Sequence, residues 1–190
     1  MFNISDVLWC ELPWLDLLNS DWHDHQGSGR TEDRLEHAAW QRYFFSRWRY
    51  NVRGIPKEKL LSELRELRTV IRRVAEKYAR NVRVTVNDWR RINKYLKRAP
   101  SFRQFRLSDG TLMLDYLPLG EKLDVVLGDI AESFAATVAE GEPLCIKICQ
   151  NNDCRWIFYD TSKNRSRKWC DSTCGTLMKV RRFRLQRKKS

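Results

Sequence analysis

Residues 149–174 read CQNNDCRWIFYDTSKNRSRKWCDSTC, in which Cys149-x4-Cys154 and Cys170-x3-Cys174 bracket fifteen residues. Two short-spaced cysteine pairs at this separation are how a tetrahedral structural zinc site is built, each pair turning on a tight knuckle so that its sulfurs converge on one ion at about 2.3 Å. Four thiolate ligands leave no open coordination position, so the ion is expected to hold structure rather than to activate a water. Between the pairs, Trp156-Ile157-Phe158-Tyr159 and Lys168-Trp169 read as strands. The segment has little core of its own, and at roughly 10–16 kcal/mol of apparent binding energy the metal is expected to decide whether it folds. Cys145, beside Leu144, Ile146 and Ile148, reads as a buried strand residue, and Cys10, which has no paired neighbour, as a second core thiol.

Working toward the C-terminus, Gly175 to Lys189 reads as a basic helix starting at the metal. Leu177, Val180 and Phe183 form a narrow stripe expected to face the finger, leaving Lys179, Arg182 and Lys189 on another side. Such a helix suits a major groove or a row of phosphates, and a solvated basic tail is the alternative. The chain carries 36 Lys and Arg against 24 Asp and Glu, a formal charge of +12 concentrated in two blocks: +10 over residues 51–100 and +9 over 149–190. Polyanions are therefore the expected partners. Arg155, Arg165, Arg167, Lys168, Lys179, Arg181 and Arg182 are the candidate phosphate contacts. The arginines of the earlier block are either a second polyanion surface or the wet face of amphipathic helices.

Working toward the N-terminus, Leu119 to Glu140 repeats apolar residues at helical spacing and closes at Gly141 and Pro143, which places a domain boundary near residue 142, dividing the chain into 1–142 and 143–190. Phe105 to Tyr116 alternate around Ser108-Asp109-Gly110, the signature of one β-hairpin. Helices are expected over about 86–97, ended by Pro100, and from Pro56 through Tyr78, where Leu60, Leu61, Leu64, Leu67, Ile71 and Val74 recur every three or four residues. Thr31 reads as the N-cap of a further helix to about Tyr50, and residues 20–30 as a polar loop closed by glycines. No linker of low complexity separates the two parts, so they are expected to touch.

Length and composition bound the rest. At 190 residues and 42% hydrophobic content the chain is one domain, or one plus a small module, with enough apolar surface for a core. No stretch approaches the roughly 20 apolar residues of a membrane span, and residues 1–10 lack a signal-peptide pattern. A soluble cytoplasmic protein is expected. No nucleophile and base stand at recognisable spacing, so an enzyme is not expected. His23 and His25, flanking Asp24, are candidate effector or metal ligands or simply surface histidines, and Asp16 and Asn19 are either core hydrogen-bond formers or part of an effector pocket.

The string Cys149, Cys154, Trp156, Phe158, Asp160, Ser162, Asn164, Ser166, Arg167, Trp169, Cys170, Cys174, Gly175, with the basic Lys179-x-Arg181-Arg182-Phe183-Arg184 after it, resembles the CGNR zinc finger. Bacterial members of that family also carry an N-terminal ABATE domain and are described as stress-induced transcription regulators. Leu15-Asp16-Leu17-Leu18-Asn19-Ser20 and the helix-then-hairpin order upstream match that domain more loosely. One departure stands at the motif that names the finger, where Thr176-Leu177 replaces Asn-Arg. The resemblance implies an α+β chain: a mainly helical domain with one hairpin, then a four-cysteine finger with one Zn²⁺ and a basic helix. It implies binding to double-stranded DNA in transcription regulation, with an N-terminal domain for a small-molecule effector or partner chain, and homodimerisation is left open. An RNA-binding or protein-interaction module, with Trp156, Tyr159 and Trp169 stacking on bases or packing on a partner, is the alternative.

Overall fold

In the computed structural model, which describes residues 12–139 and 141–187, the centre of the protein is a short, wholly buried helix, α1 (Pro13–Asn19). Proline at its first turn needs no intrahelical donor, and Trp14, Leu17 and Leu18 reach zero exposure. Trp14 meets the ring of Phe134 edge-on at 5.1 Å and donates its indole N–H to Thr137 Oγ1 at 3.0 Å. Around it pack α3 (Lys57–Ala79), presenting Leu60, Leu64, Leu67, Ile71 and Val74, and α5 (Lys122–Ala139), presenting Leu123, Val126, Leu127, Ile130 and Phe134. Both stripes follow the three-to-four spacing read from the sequence. Between those helices in the chain lies α4 (Val86–Leu96), opened by a capping box in which Thr85 and Asp88 satisfy each other's backbone donors. Gly128 of α5 makes room for the turn after α4, since a Cβ there would stand 2.7 Å from that of Ala99.

The segment expected as a helix from Thr31 divides instead. Thr31–Asp33 (β2) pairs antiparallel with Asp21–His23 (β1), a single 3-10 turn follows at Arg34–Glu36, and α2 starts only at Ala38 and runs to Arg47. The reason lies in Asp33: its carboxylate caps the 3-10 turn at Leu35 N and receives the guanidinium groups of Arg65 and Arg68 from α3 at 2.7–3.1 Å. A residue so held is unavailable as first-turn decoration of a longer helix. Trp40 and Phe44 of α2 stack at 4.7 Å and close that side of the core.

Ser101–Ser108 (β3) and Thr111–Pro118 (β4) form the long hairpin, turning at Asp109-Gly110 with φ of 48° and 77°. Two successive positive φ values define the type I′ turn that Asp-Gly favours. To this hairpin the structure adds two three-residue ladders, β1–β2 and the pairing of Ile146–Ile148 (β5) with Ile157–Tyr159 (β6). Ile146 and Ile157 are 1% exposed and belong to the same apolar core as α1 and α3. The finger has little core of its own, as expected, and one side of its hairpin is sealed into the main body instead. Lys168-Trp169 is not a strand, and Cys145 sits buried in a 3-10 turn, Pro143–Cys145, ahead of β5. Cys10 lies outside the described residues.

The last helix, α6 (Ser172–Arg187), begins two residues before Cys174, so its first turn carries a cysteine of the cluster. Its expected apolar stripe does not settle on the finger. Leu177 is half-buried, but Val180 and Phe183 are 40% and 58% exposed, and the helix leaves the body with most of its length in solvent. Among the described residues no helix is long and apolar enough to cross a membrane.

Candidate metal centre

Cys149 follows the last residue of β5 and donates its N–H to Trp156 O at 2.8 Å, while Cys154 N reaches Asn151 O at 2.9 Å, so the first pair is held on a closed knuckle. Arg155, at φ 56°, turns the chain from the knuckle into β6. On the other side Asp171 accepts from Cys174 N at 2.8 Å through its carboxylate and from Gly175 N through its carbonyl, starting α6 with Cys174 inward. Gln150 N bonds to Lys168 O at 2.8 Å and ties the two halves together.

The four Sγ atoms so placed all lie within 4.8 Å of one another and every one of these cysteines is buried. Cys154 and Cys170 are 3.7 Å apart at sulfur, far beyond a disulfide bond and close to the roughly 3.8 Å that a tetrahedron with bonds of about 2.3 Å requires. Contact among the sulfurs splits them, Cys154 and Cys170 being raised chiefly by Cys149 and Cys149 lowered chiefly by Cys154, so all four ionise together only around a cation. Four anionic sulfurs in this space need a cation between them, and the donor set fits one structural Zn²⁺ held by Cys149, Cys154, Cys170 and Cys174. Asn151 Nδ2 stands 3.6 Å from Cys174 Sγ, an outer donor of the kind that steadies a ligating thiolate.

Asp160 organises the loop that joins the two cysteine pairs. Its buried carboxylate accepts from Lys147 Nζ (2.8 Å), Ser162 N (3.0 Å), Ser162 Oγ (2.6 Å) and Arg167 N (2.9 Å). Burial works against its charge, yet these donors, Lys147 foremost, hold it well below the usual carboxylate range.

The N-terminal part then grips the finger at three places. Asn19 acts as a strand edge for β6: its Nδ2 donates to Ile157 O at 2.9 Å and its Oδ1 accepts from Ile157 N at 3.1 Å. Arg34, 3% exposed, lies over the rings of Trp22 and Trp156 at 5.5 and 6.0 Å, and Trp22 packs on the cysteine cluster. Arg181 of α6 reaches Asp153 Oδ2 and Gln26 O, each at 2.7 Å, while Asn151 Nδ2 donates to His25 O at 2.8 Å. Gly27 is needed at this seam, with φ of 92° and the Arg181 guanidinium 3.0 Å from where a Cβ would be. Sequence reasoning missed Arg34 and Trp22; an aromatic isolated in a polar loop was the available signal.

The candidate phosphate contacts separate into two groups. Arg155, Lys168, Lys179 and Arg182 are exposed and make no ion pair among the described residues. Arg165 grips both oxygens of Glu142, Arg167 bonds to Cys170 O and covers Phe158 at 5.1 Å, and Arg181 is the seam just described. The four effector candidates do not share one cavity. Asp16 is buried beneath Trp48 Nε1 at 2.7 Å, Asn19 is committed to β6, and His25 offers its carbonyl to the finger. His23 lines an open cleft of about 290 Å³ with Asp24, Arg30, Asn152, Asp153 and Arg155. Trp156 and Phe158 are buried in the cluster and Trp169 packs against it.

No curated protein matches the chain. Two family profiles do: the CGNR zinc finger over residues 146–187, and ABATE, described as "Putative stress-induced transcription regulator", over residues 11–141. The second spans more than half of the sequence, the first ends on the four-cysteine cluster and its helix, and the chain therefore belongs to the ABATE family, with a CGNR zinc finger following its ABATE domain.

Proposed function

We propose that the protein is a zinc-dependent, duplex-DNA-binding transcription regulator of the cytoplasm, with α6 as the element that meets the nucleic acid. The observation that carries the reading is the anchoring of that helix: Cys174 in its first turn belongs to the metal cluster, and Lys179, Arg182, Arg184 and Arg187 project from its exposed length. When bound, zinc supplies the cross-link between the two knuckles. The chain's own residues do the rest: Asp171 starts the helix, Arg181 fixes its direction against the loop at Gln26, and the exposed cations neutralise phosphates. Arg155 and Lys168 extend the basic surface onto the finger. Exposed Val180 and Phe183 are available for apolar contact with thymine methyl groups.

Because Arg181 and Asn151 join α6 and the knuckle to residues 25–26, the cleft at His23 and Arg155 is the place where a small polar effector would alter the helix's bearing. The stacking role for Trp156 and Trp169 finds less support, since both pack into the finger. The test is selection from randomised duplex DNA at physiological salt by the zinc-loaded protein, with Cys170→Ser as control. An enriched motif absent from the control supports the reading; no enrichment by fully metallated protein overturns sequence-specific recognition.

A further inference from the structure

Both faces of the β3–β4 ribbon are largely exposed, and they differ in chemistry. Its register puts the pairs Arg103–Tyr116, Phe105–Leu114 and Leu107–Leu112 on one side and Phe102–Leu117, Gln104–Asp115, Arg106–Met113 and Ser108–Thr111 on the other. The second side mixes Phe102, Met113 and half-buried Leu117 with polar Gln104, Ser108 and Thr111 and a neutral ion pair, Arg106 Nε 2.6 Å from Asp115. The first is apolar and bare: Phe105 and Leu107 are 71% exposed, Leu112 63%, Tyr116 59% and Leu114 48%. Phe and Tyr side chains present about 150–250 Å² each when free and leucines roughly 100 Å², so the five together expose on the order of 400–600 Å². That lies at the upper end of the roughly 300–600 Å² of the largest apolar patch on a typical monomer, and patches of this size are often functional.

We infer that this face binds the same face of a second copy of the chain, giving a two-fold dimer through paired ribbons. Area and charge both favour that occupant. About 400–600 Å² on each copy supplies the apolar centre of an interface whose stable forms bury roughly 800 Å² per partner once the rim is added. Arg103, the face's charged group, is drawn over the Tyr116 ring at 5.6 Å, at the end nearest the body, so two copies meet without opposed charges on the distal ribbon. A partner chosen by complementarity to a chain of net charge +12 would be acidic, and this face offers acid nothing further to grip. A flat, neutral, apolar patch is by contrast complementary to itself, which is what an isologous contact demands. An eight-residue two-stranded ribbon is also marginal alone in water, and a second ribbon on its apolar face supplies the missing layer.

The test is sedimentation equilibrium of the full-length, zinc-loaded chain across a concentration series, with zinc content and circular dichroism measured on every variant. Wild type is expected at twice the 22.8 kDa chain mass. Leu107→Asp and Leu114→Asp, each burying an unpaired carboxylate in the contact, are expected to weaken association by at least about 100-fold. Leu107→Gln is expected to shift it in the same direction by less, and Gln104→Lys, on the opposite face, to leave it unchanged. A single-chain mass at the highest concentration, or a dimer indifferent to every variant on this face, overturns the inference and assigns the ribbon to another partner.

Discussion

Asp88 and Asp160 show what single buried carboxylates do here. Asp88 has no exposed side-chain surface and gathers Lys77 Nζ at 2.5 Å, Arg73 Nε at 3.0 Å and both donors of Thr85. Burial raises its pKa, but Lys77 and Thr85 lower it further, leaving it below the usual range. A pKa depressed in the folded state relative to about 3.9 in the unfolded chain contributes stability that is present above that value and is lost as pH falls below it. Asp88→Asn is therefore expected to cost about 2–3 kcal/mol at pH 7. The gap from wild type in thermal unfolding should hold from pH 7 to 5 and narrow below about pH 4; a gap independent of pH contradicts the assignment. Asn19→Ala leaves the buried N–H and C=O of Ile157 without their partner and is expected to cost a further 2–3 kcal/mol or so, read by chemical denaturation. The cysteine ligands were legible in the sequence because their chemistry and spacing are local. Asn19 was legible as a core hydrogen-bond former but its partner was not, because Ile157 lies 138 residues away and the amide imitates a strand that only the folded chain brings beside it.

Among elements, the long hairpin was legible because Asp109-Gly110 is one of the few dipeptides that accept two positive φ values, and α3 because its apolar period runs through 23 residues. The helix read from Thr31 failed for the opposite reason: propensity near Asp33 is overridden by Arg65 and Arg68, which arrive from another helix. Those same ion pairs, with Arg72 donating to Leu18 O, make much of the middle arginine block a set of internal pins. The stripe on α6 misled because spacing shows which residues share a side, not whether anything faces them. Arg181→Ala tests the seam that orients this helix. It is expected to lower the melting temperature by about 2–4 °C and to raise hydrogen exchange at residues 26–28, while zinc content stays at one per chain. Unchanged exchange in that loop contradicts the seam.

At the scale of the molecule, the finger is half sealed into the ABATE domain's core and half dependent on its metal. Ile146 and Ile157 are held by the apolar body, whereas the packing around the metal site is little more than the cysteines with Trp156 and Phe158. Removal of zinc by a strong chelator is accordingly expected to abolish the ordered helical signal of the 16 residues of α6 while the remaining helices melt cooperatively, close to their original temperature. Global unfolding on chelation would show that the metal, not the shared core, carries the whole chain.

The most direct test of the proposed function is the salt dependence of duplex affinity, measured by fluorescence anisotropy on zinc-loaded wild type and on the Lys179→Gln, Arg182→Gln double variant. Each phosphate neutralised contributes about 0.9 to the slope of log affinity against log salt. The account predicts a steep slope for wild type and a reduction of about 2 in the double variant, with zinc content unchanged. Equal slopes, or no duplex binding by protein that holds its zinc, would contradict it.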